Sequence, residues 1–528
     1  MNAHTAIVIG AGIGGIATAA HLARRGMRVT VVEKNHRPGG RCDYFERDGH
    51  QFNTGPTLLI MPLVYEEEFA ALGVSLHERL DLIRVDPTYH LVFDDGSQLA
   101  LTSELKRMRD QLEAIEPGSF QGFLRYLSES YQHYTLAMEQ LVERDFRAAS
   151  DFFAVSNLPL LFSLKPLVQH YRHMASYFTT PRLKAAFTFQ DVYMGLSPFE
   201  APSTFSMMAA TELVHGVWYP TGGMYRVTQT LMDVAQQAGA QFLFHAPVTR
   251  IDVDEGRARG VTLADGRYFE ADVVVANADL PYVYEHLLPH DTATRRLAQK
   301  RYSCSTISFF WGVDTIYSQL GPHTLFLADA YQENFASIAH LAPLPDNPSL
   351  YVHAPTRLDP AAAPPGEDTL VAVVPVGHLD DTGKQDWPRM RAQARQAVFN
   401  RVALLGITDL QDHLKFEVDY VPSSWRKRYN LTKGATHGLS HTLTQLGYLR
   451  PHNRHAQYHN LYFVGASTHP GTGVPTALVC ARLVADRVCD DAQSLDLSAV
   501  HTEMRRERRL DGWKEPAGTT TRLSKFGR

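Results

Sequence analysis

Cysteine is scarce. The 528-residue chain has four, Cys42, Cys304, Cys480 and Cys489, with no Cys-x-x-Cys spacing, which argues against a disulfide-stapled secreted scaffold and against structural zinc. No metal site is expected. Long apolar runs are missing too: none reaches the roughly 18 residues of a membrane span, although 44% of the residues are hydrophobic. An excess of one charge is also absent. A formal net charge of -5 leaves no global electrostatic case for nucleic acid or an acidic polymer as partner. A strand pattern opens already at Ala6, which leaves no room for a signal peptide, and the expected location is cytoplasmic. The length exceeds what one core serves and predicts about three domain-sized pieces.

What is present begins at once. Ala6 to Ile9 is a short apolar run. Gly10-Ala11-Gly12-Ile13-Gly14-Gly15 then turns the chain into a helical pattern through Ala17, Ala20, Leu22 and Ala23, and Val29 to Val32 is a second buried-strand run ending in Glu33. This is a βαβ unit. Gly10 permits the tight turn, Gly12 lets backbone approach a pyrophosphate, and Gly15 lets helix and strand pack closely. The helix N-terminus offers the phosphates unpaired N–H groups and the positive end of its dipole. Glu33, followed by Lys34, stands where a carboxylate accepts hydrogen bonds from an adenosine ribose. The unit binds a dinucleotide, with NAD and FAD both open at this point.

The next residues choose between them. Pro38-Gly39-Gly40-Arg41 is a second glycine turn, and a strand pair leads on to Phe52-Asn53-Thr54-Gly55-Pro56-Thr57. This resembles the GG motif and GP segment of large FAD-dependent oxidoreductases related to amine oxidases and carotenoid desaturases. The resemblance implies FAD as cofactor, with Gly40, Gly55, Pro56 and Thr57 around it and Arg41 near the pyrophosphate. A second piece of the site returns late. Asn460 to Val464 reads as a strand, Gly465-Ala466-Ser467-Thr468-His469-Pro470-Gly471-Thr472-Gly473-Val474-Pro475 as a turn, and the stretch through Leu478, Ala481 and Leu483 as a helix. Backbone donors at Gly465, Ala466, Gly473 and Val474 suit the ribityl phosphate and the anionic side of a reduced flavin. The run from Gly465 to Pro475 closely resembles the C-terminal flavin motif of the carotenoid (phytoene) desaturase family, in its fungal-type wording. Gly216 to Met224, Ser303 to Ser308, Tyr429-Asn430-Leu431, Gly438 to His441 and Arg450-Pro451 look like that group as well. Asn53 departs from it, standing where Asp is common. In the resembling fold the backbone of Val248 holds the adenine, and Asn277-Ala278-Asp279 follows the returning strand.

The expected class is α/β: a Rossmann-like FAD-binding domain in the arrangement of amine oxidases and of the escort proteins for prenylated GTPases, with an α+β substrate domain and a helical region. Residues 1–75, 215–290 and 455–495 form the discontinuous FAD domain. Residues 76–102 and 291–450 form the substrate domain, with the proline-rich linker from Pro343 to Pro365 as loop. Residues 103–214 read as helical. There Phe152 to Val155, Leu158 to Phe162 and Leu164 make an apolar cluster, either a core helix pair or an element that dips into a membrane while Lys165, Arg172, Arg182 and Lys184 meet headgroups. Residues 496–528 are a basic tail, with Trp513 and Phe526 suited to an interface.

The resemblance implies desaturation of a linear C30 or C40 polyene, with phytoene the first choice, by a peripheral membrane enzyme that passes its electrons to oxygen or a quinone. Such a hydrocarbon has no group to polarise, so an apolar tunnel must supply specificity, and the protein supplies orientation, dryness and a modest base. His469 is the titratable candidate beside the flavin. Glu212, just ahead of the mid-chain glycines, is placed at the tunnel's inner end. The alternatives are a related carotenoid oxidase or ketolase, a hydroxycarotenoid desaturase, an amine oxidase, for which no aromatic cage is identifiable, and a non-enzymatic prenyl-lipid escort.

Overall fold

The computed structural model describes residues 4–510, and of residues 494–510 only the helical backbone. The chain divides into two units, Met1–Val484 and Ala485–Arg528. Every site residue below belongs to the first. The end of the basic tail, with Trp513 and Phe526, lies outside the described residues.

The apolar runs at the N-terminus form the centre of a five-stranded parallel sheet. Thr5–Ile9 pairs with Arg28–Val32 on one side and Val273–Ala276 on the other, and Gln241–Leu243 and Leu461–Phe463 complete the edges. Parallel strands covered on both faces read as continuous Val/Ile runs, which these are. Helix Ile13–Arg24 has only small or apolar side chains in its buried stretch apart from Thr18 and His21, and it packs against helix Tyr225–Gln237. Val248–Asp254 leaves this sheet for a three-stranded antiparallel one with Arg257–Leu263 and Tyr268–Glu270.

The second large sheet has seven strands, in the order Leu414–Tyr420, Ser305–Val313, Asp368–Val376, Leu350–His353, His323–Leu327, Tyr89–Phe93 and Gln98–Leu101. Leu350–His353 lies inside the linker expected to be loop. Proline excludes a segment from a sheet interior only where it removes a ladder N–H, and the window between Pro348 and Pro355 contains none. That short run pairs with neighbours on both sides. One face of the sheet packs Phe326, Leu350 and Val352 against helix Trp387–Ala403. The opposite face turns Leu91, Leu325, Leu327 and Tyr351 toward the helical region.

Helices Leu105–Ile115 and Ser119–Ala137 bury one stripe in that region. The apolar cluster that follows is not a core helix pair. Phe153 is 62% exposed, Phe162 81% and Leu167 86%. The cations expected at headgroups divide. Lys165 is bonded to Glu129, and Arg182 pairs with Asp95 and covers the Phe93 ring, whereas Arg172 is exposed. Among the described residues no helix is long and apolar enough to cross a membrane.

Candidate active site

The two glycine turns meet. Gly39 bridges to Gly12, and its N–H donates to the Ala11 carbonyl at 2.8 Å. A Cβ on Gly15 would lie 2.1 Å from the Gly10 oxygen, and one on Gly55 would lie 2.0 Å from the Arg41 oxygen. Both positions therefore require glycine. The first turn of helix Ile13–Arg24 has neither a side-chain cap nor an acidic residue, so its N–H groups are free to face an anion. Glu33 accepts from the Ala11 N–H and from both nitrogens of Asn35, each at 2.8 Å. A carboxylate has about four lone-pair sites, which leaves it capacity for a ribose hydroxyl. Lys34 donates to Asn430 Oδ1 at 2.7 Å. Arg41 donates to the Thr436 carbonyl at 2.8 Å and has the Asp279 charge nearby. Asn53 Oδ1 accepts from the Tyr225 N–H at 3.1 Å, so it ties the GP segment to the start of the helix behind the mid-chain glycines, a task an amide performs without charge.

One cavity of about 830 Å³ joins all of this to the substrate elements. Gly10, Gly12, Glu33, Lys34, Gly40, Arg41, Gly55, Pro56, Thr57, Val248, Gly465, Ala466, Gly473 and Val474 all line it; Gly15 does not, because it serves the packing behind the turn. The lining then continues through Ile60, Leu164, Phe189, Met194, Phe205, Met208, Leu325 and Leu327 to Phe152, Phe153 and Leu158, the stretch whose other side faces solvent. Backbone donors, a carboxylate and glycines without room for a Cβ fit the adenosine and pyrophosphate of FAD, and the turn before helix Val474–Leu510 fits its ring end. Among the described residues no cluster of His, Cys, Asp and Glu is arranged to hold a metal.

The two titratable candidates separate. His469 lines the cavity. Its Nε2 lies 2.9 Å from the Arg144 carbonyl, which can only accept, so the proton sits on Nε2 and Nδ1 keeps a lone pair, buried and without a partner. Burial holds the ring down to about 4, hence neutral. Glu212 is neither solvated nor on the cavity wall. It is 3% exposed on helix Met207–Val214, receives Gln190 Nε2 at 3.3 Å, and has Tyr89 and Tyr193 beside it. Those two phenols, hydrogen-bonded to each other, are what the cavity meets. Burial pushes the Glu212 carboxyl up to about 8, so it is largely protonated at neutral pH.

Two further features carry no local sequence signal. Arg450 is fully buried and donates to five backbone carbonyls, those of Leu439, Ser440, Gln445, Ala466 and Thr468. It clamps the turn after Leu461–Phe463 to the loop before it. Thr57, Tyr351 and His323 form a hydrogen-bonded string at the cavity wall. Tyr351 sits on the strand that prolines disguise.

Residues 13–489 match the family described as flavin containing amine oxidoreductase. A phytoene desaturase of Fusarium fujikuroi is 40% identical, with 92% of this chain and 89% of that one covered. A zeta-carotene-forming phytoene desaturase of Myxococcus xanthus is likewise 40% identical, over 93% and 95%. The chain belongs to the carotenoid desaturases of the flavin-containing amine oxidoreductase family. It is an FAD-dependent oxidoreductase, not an escort protein. A putrescine oxidase structure shares the fold, with a TM-score of 0.62 at 14% identity over 92% of this chain and 99% of that one, a likeness that bears on architecture alone.

Proposed function

We propose that the chain desaturates a linear C40 polyene of the phytoene type, with carotenoid biosynthesis as its setting. The observation that carries this reading is the single cavity that runs from the flavin cradle to an exposed apolar mouth. The names of the relatives supply the substrate class. Bound FAD supplies the two-electron sink that takes up a hydride equivalent. The residues do the rest. Apolar walls from Ile60 to Leu327 orient a chain that offers nothing to hydrogen-bond, and they keep out water that would compete for the proton or the developing cation. His469, whose ring lines the cavity and whose buried Nδ1 carries an unpartnered lone pair, is assigned as the acceptor of the proton. A weak base suffices, because a carbon beside a developing cation is strongly acidic. Glu212 acts at one remove, as a neutral partner that holds Tyr89 and Tyr193 in place. The cofactor residues expected above, from Gly10 to Val474, are proposed to contact FAD at the positions described, except Gly15, which acts by letting the helix pack behind the turn.

The substrate is a membrane lipid in its solubility, and we place the mouth at a membrane surface. Phe153, Phe162 and Leu167 would each gain roughly 1.5–3 kcal/mol on leaving water. Exposed side chains of that size in one stretch are costly unless something covers them. Electrons then pass to oxygen or a quinone.

Expression in a host that makes phytoene tests the reading. Coloured lycopene or neurosporene in the extract supports it. Unchanged phytoene alongside intact, flavin-loaded protein refutes it. A matched host that makes the C30 precursor reports the chain length accepted.

A further inference from the structure

A second hollow lies beside the tunnel. It encloses about 250 Å³ and is lined by the polar Lys300, Arg301, Lys433 and Ser440 and by the apolar Leu196 and Ile338. Val192, Cys304 and Phe335 line both spaces, so the two share a wall. Neither flavin chemistry nor a hydrocarbon has a use for the cations.

Among the described residues three cations line the hollow against one acid, Glu200. Arg301 is taken by that acid at 2.8 Å. Lys433 reaches Asp381 at 2.9 Å, and Asp381 is 78% exposed. An ion pair with so exposed a partner holds weakly, which leaves the lysine free to turn. Lys300 has neither an ion pair nor a hydrogen bond through its ammonium among the described residues. Burial, and then the charge of Arg450, whose hydrogen bonds go to carbonyls, hold that ammonium below its ordinary range. An opposite charge nearby favours the charged form, and the protein supplies none to Lys300.

Ser440 adds a neutral donor. It is 4% exposed, its N–H is spent on the Arg301 carbonyl, and its own carbonyl accepts from Gln445 and Arg450. Its hydroxyl has no partner among the described residues, and the hollow is the space that it lines. A buried hydroxyl left unpaired is costly.

These groups select the occupant. A carboxylate is matched by Lys300 alone, whereas a phosphate head brings three strong acceptor oxygens and about two charges, enough for Lys300, Lys433 and the Ser440 hydroxyl together. Leu196 and Ile338 give a bare ion nothing and suit a short apolar tail. The volume falls below the roughly 300–1,000 Å³ of pockets for drug-sized ligands, so it admits a head with a few carbons and not a polyene. We infer that this hollow binds a phosphate-headed amphiphile with a short apolar tail, at a site separate from those of flavin and polyene.

Titration calorimetry on flavin-loaded full-length protein tests this without any carotenoid, so its outcome stands apart from the desaturase reading. Bound FAD keeps the pyrophosphate cradle occupied. Hexyl phosphate is the probe, beside inorganic phosphate, heptanoate and hexanol. It should bind at least about tenfold tighter than each of the three, and less tightly as salt is raised. Lys300→Gln should weaken it at least about tenfold and Ser440→Ala severalfold, with the flavin spectrum unchanged, while Lys300→Arg should keep most of the affinity. Phe153→Ser, at the mouth of the tunnel, should bind the probe as the parent does. The inference is overturned if hexyl phosphate does not bind, if inorganic phosphate or heptanoate binds as tightly, if Lys300→Gln leaves the affinity where it was, or if Phe153→Ser abolishes it.

Discussion

The two halves of the cavity are built from different material. The cofactor half is backbone: glycine turns pressed together so closely that Gly15 and Gly55 leave no room for one carbon. The substrate half is side chain, from Ile60, Phe189, Met208 and Leu325 on separate elements. Backbone walls tolerate no substitution and bind one ligand. Side-chain walls can be exchanged at constant volume, so the cofactor half fixes what the protein is, and the substrate half fixes what it accepts.

Breaking the backbone half has the largest expected effect. Gly15→Val should yield protein with no bound flavin, read from the visible spectrum after purification, whereas Leu325→Met should stay yellow. Next comes the clamp between the late loops. Arg450→Leu strips donors from five carbonyls and should lower unfolding stability by about 3–5 kcal/mol, measured by denaturant titration. Arg450→Lys should not restore it, since an ammonium has three donors for five acceptors.

On the side-chain half, His469→Gln should slow flavin reduction by phytoene about 10²–10³-fold and leave flavin content intact, as seen in anaerobic rapid mixing. The triple change of Phe153, Phe162 and Leu167 to Ser should reduce sedimentation with lipid vesicles severalfold while the spectrum stays the same. Glu212→Gln acts through pH. The carboxyl of Glu212 rises from an ordinary 4.5 to about 8 on folding, so between those values the native state binds more protons than the unfolded one, and stability falls as pH rises. The stability advantage of Glu212→Gln over the parent should be absent below about 4.5, grow as pH rises toward 8, and level off beyond. Thermal unfolding across that range checks the sign.

The same contrast explains what could be read in advance. Gly10, Gly12, Gly15, Glu33 and the run from Gly465 to Pro475 announce themselves because a phosphate cradle needs particular residues at fixed local spacing. His469 was visible inside such a run, but its free Nδ1 depends on the Arg144 carbonyl, 325 positions away. Glu212 was visible as a carboxylate near a glycine turn, yet its burial behind Tyr89 and Tyr193 comes from long-range packing. Tyr351 was hidden twice, by prolines that suggested loop and by partners, Thr57 and His323, that approach only across the folded sheet. Arg450 appeared as part of a resemblance with no reason attached. Its reason is five carbonyls that no local pattern encodes.

The five-stranded sheet has one further consequence, for how the chain is made. Its strands begin at Thr5 and end at Phe463, so a chain emerging from the ribosome holds the first half of a flavin cradle long before the last strand exists. At roughly 5–20 residues per second, the stretch between the strand ending at Ala276 and the strand starting at Leu461 takes on the order of ten seconds or more to synthesise. Throughout that interval the apolar segment around Phe153 and Phe162 is already outside and uncovered. Yield in a cell is therefore governed by what shelters this half-built intermediate, chaperone or membrane, and by whether flavin is at hand when Leu461 arrives.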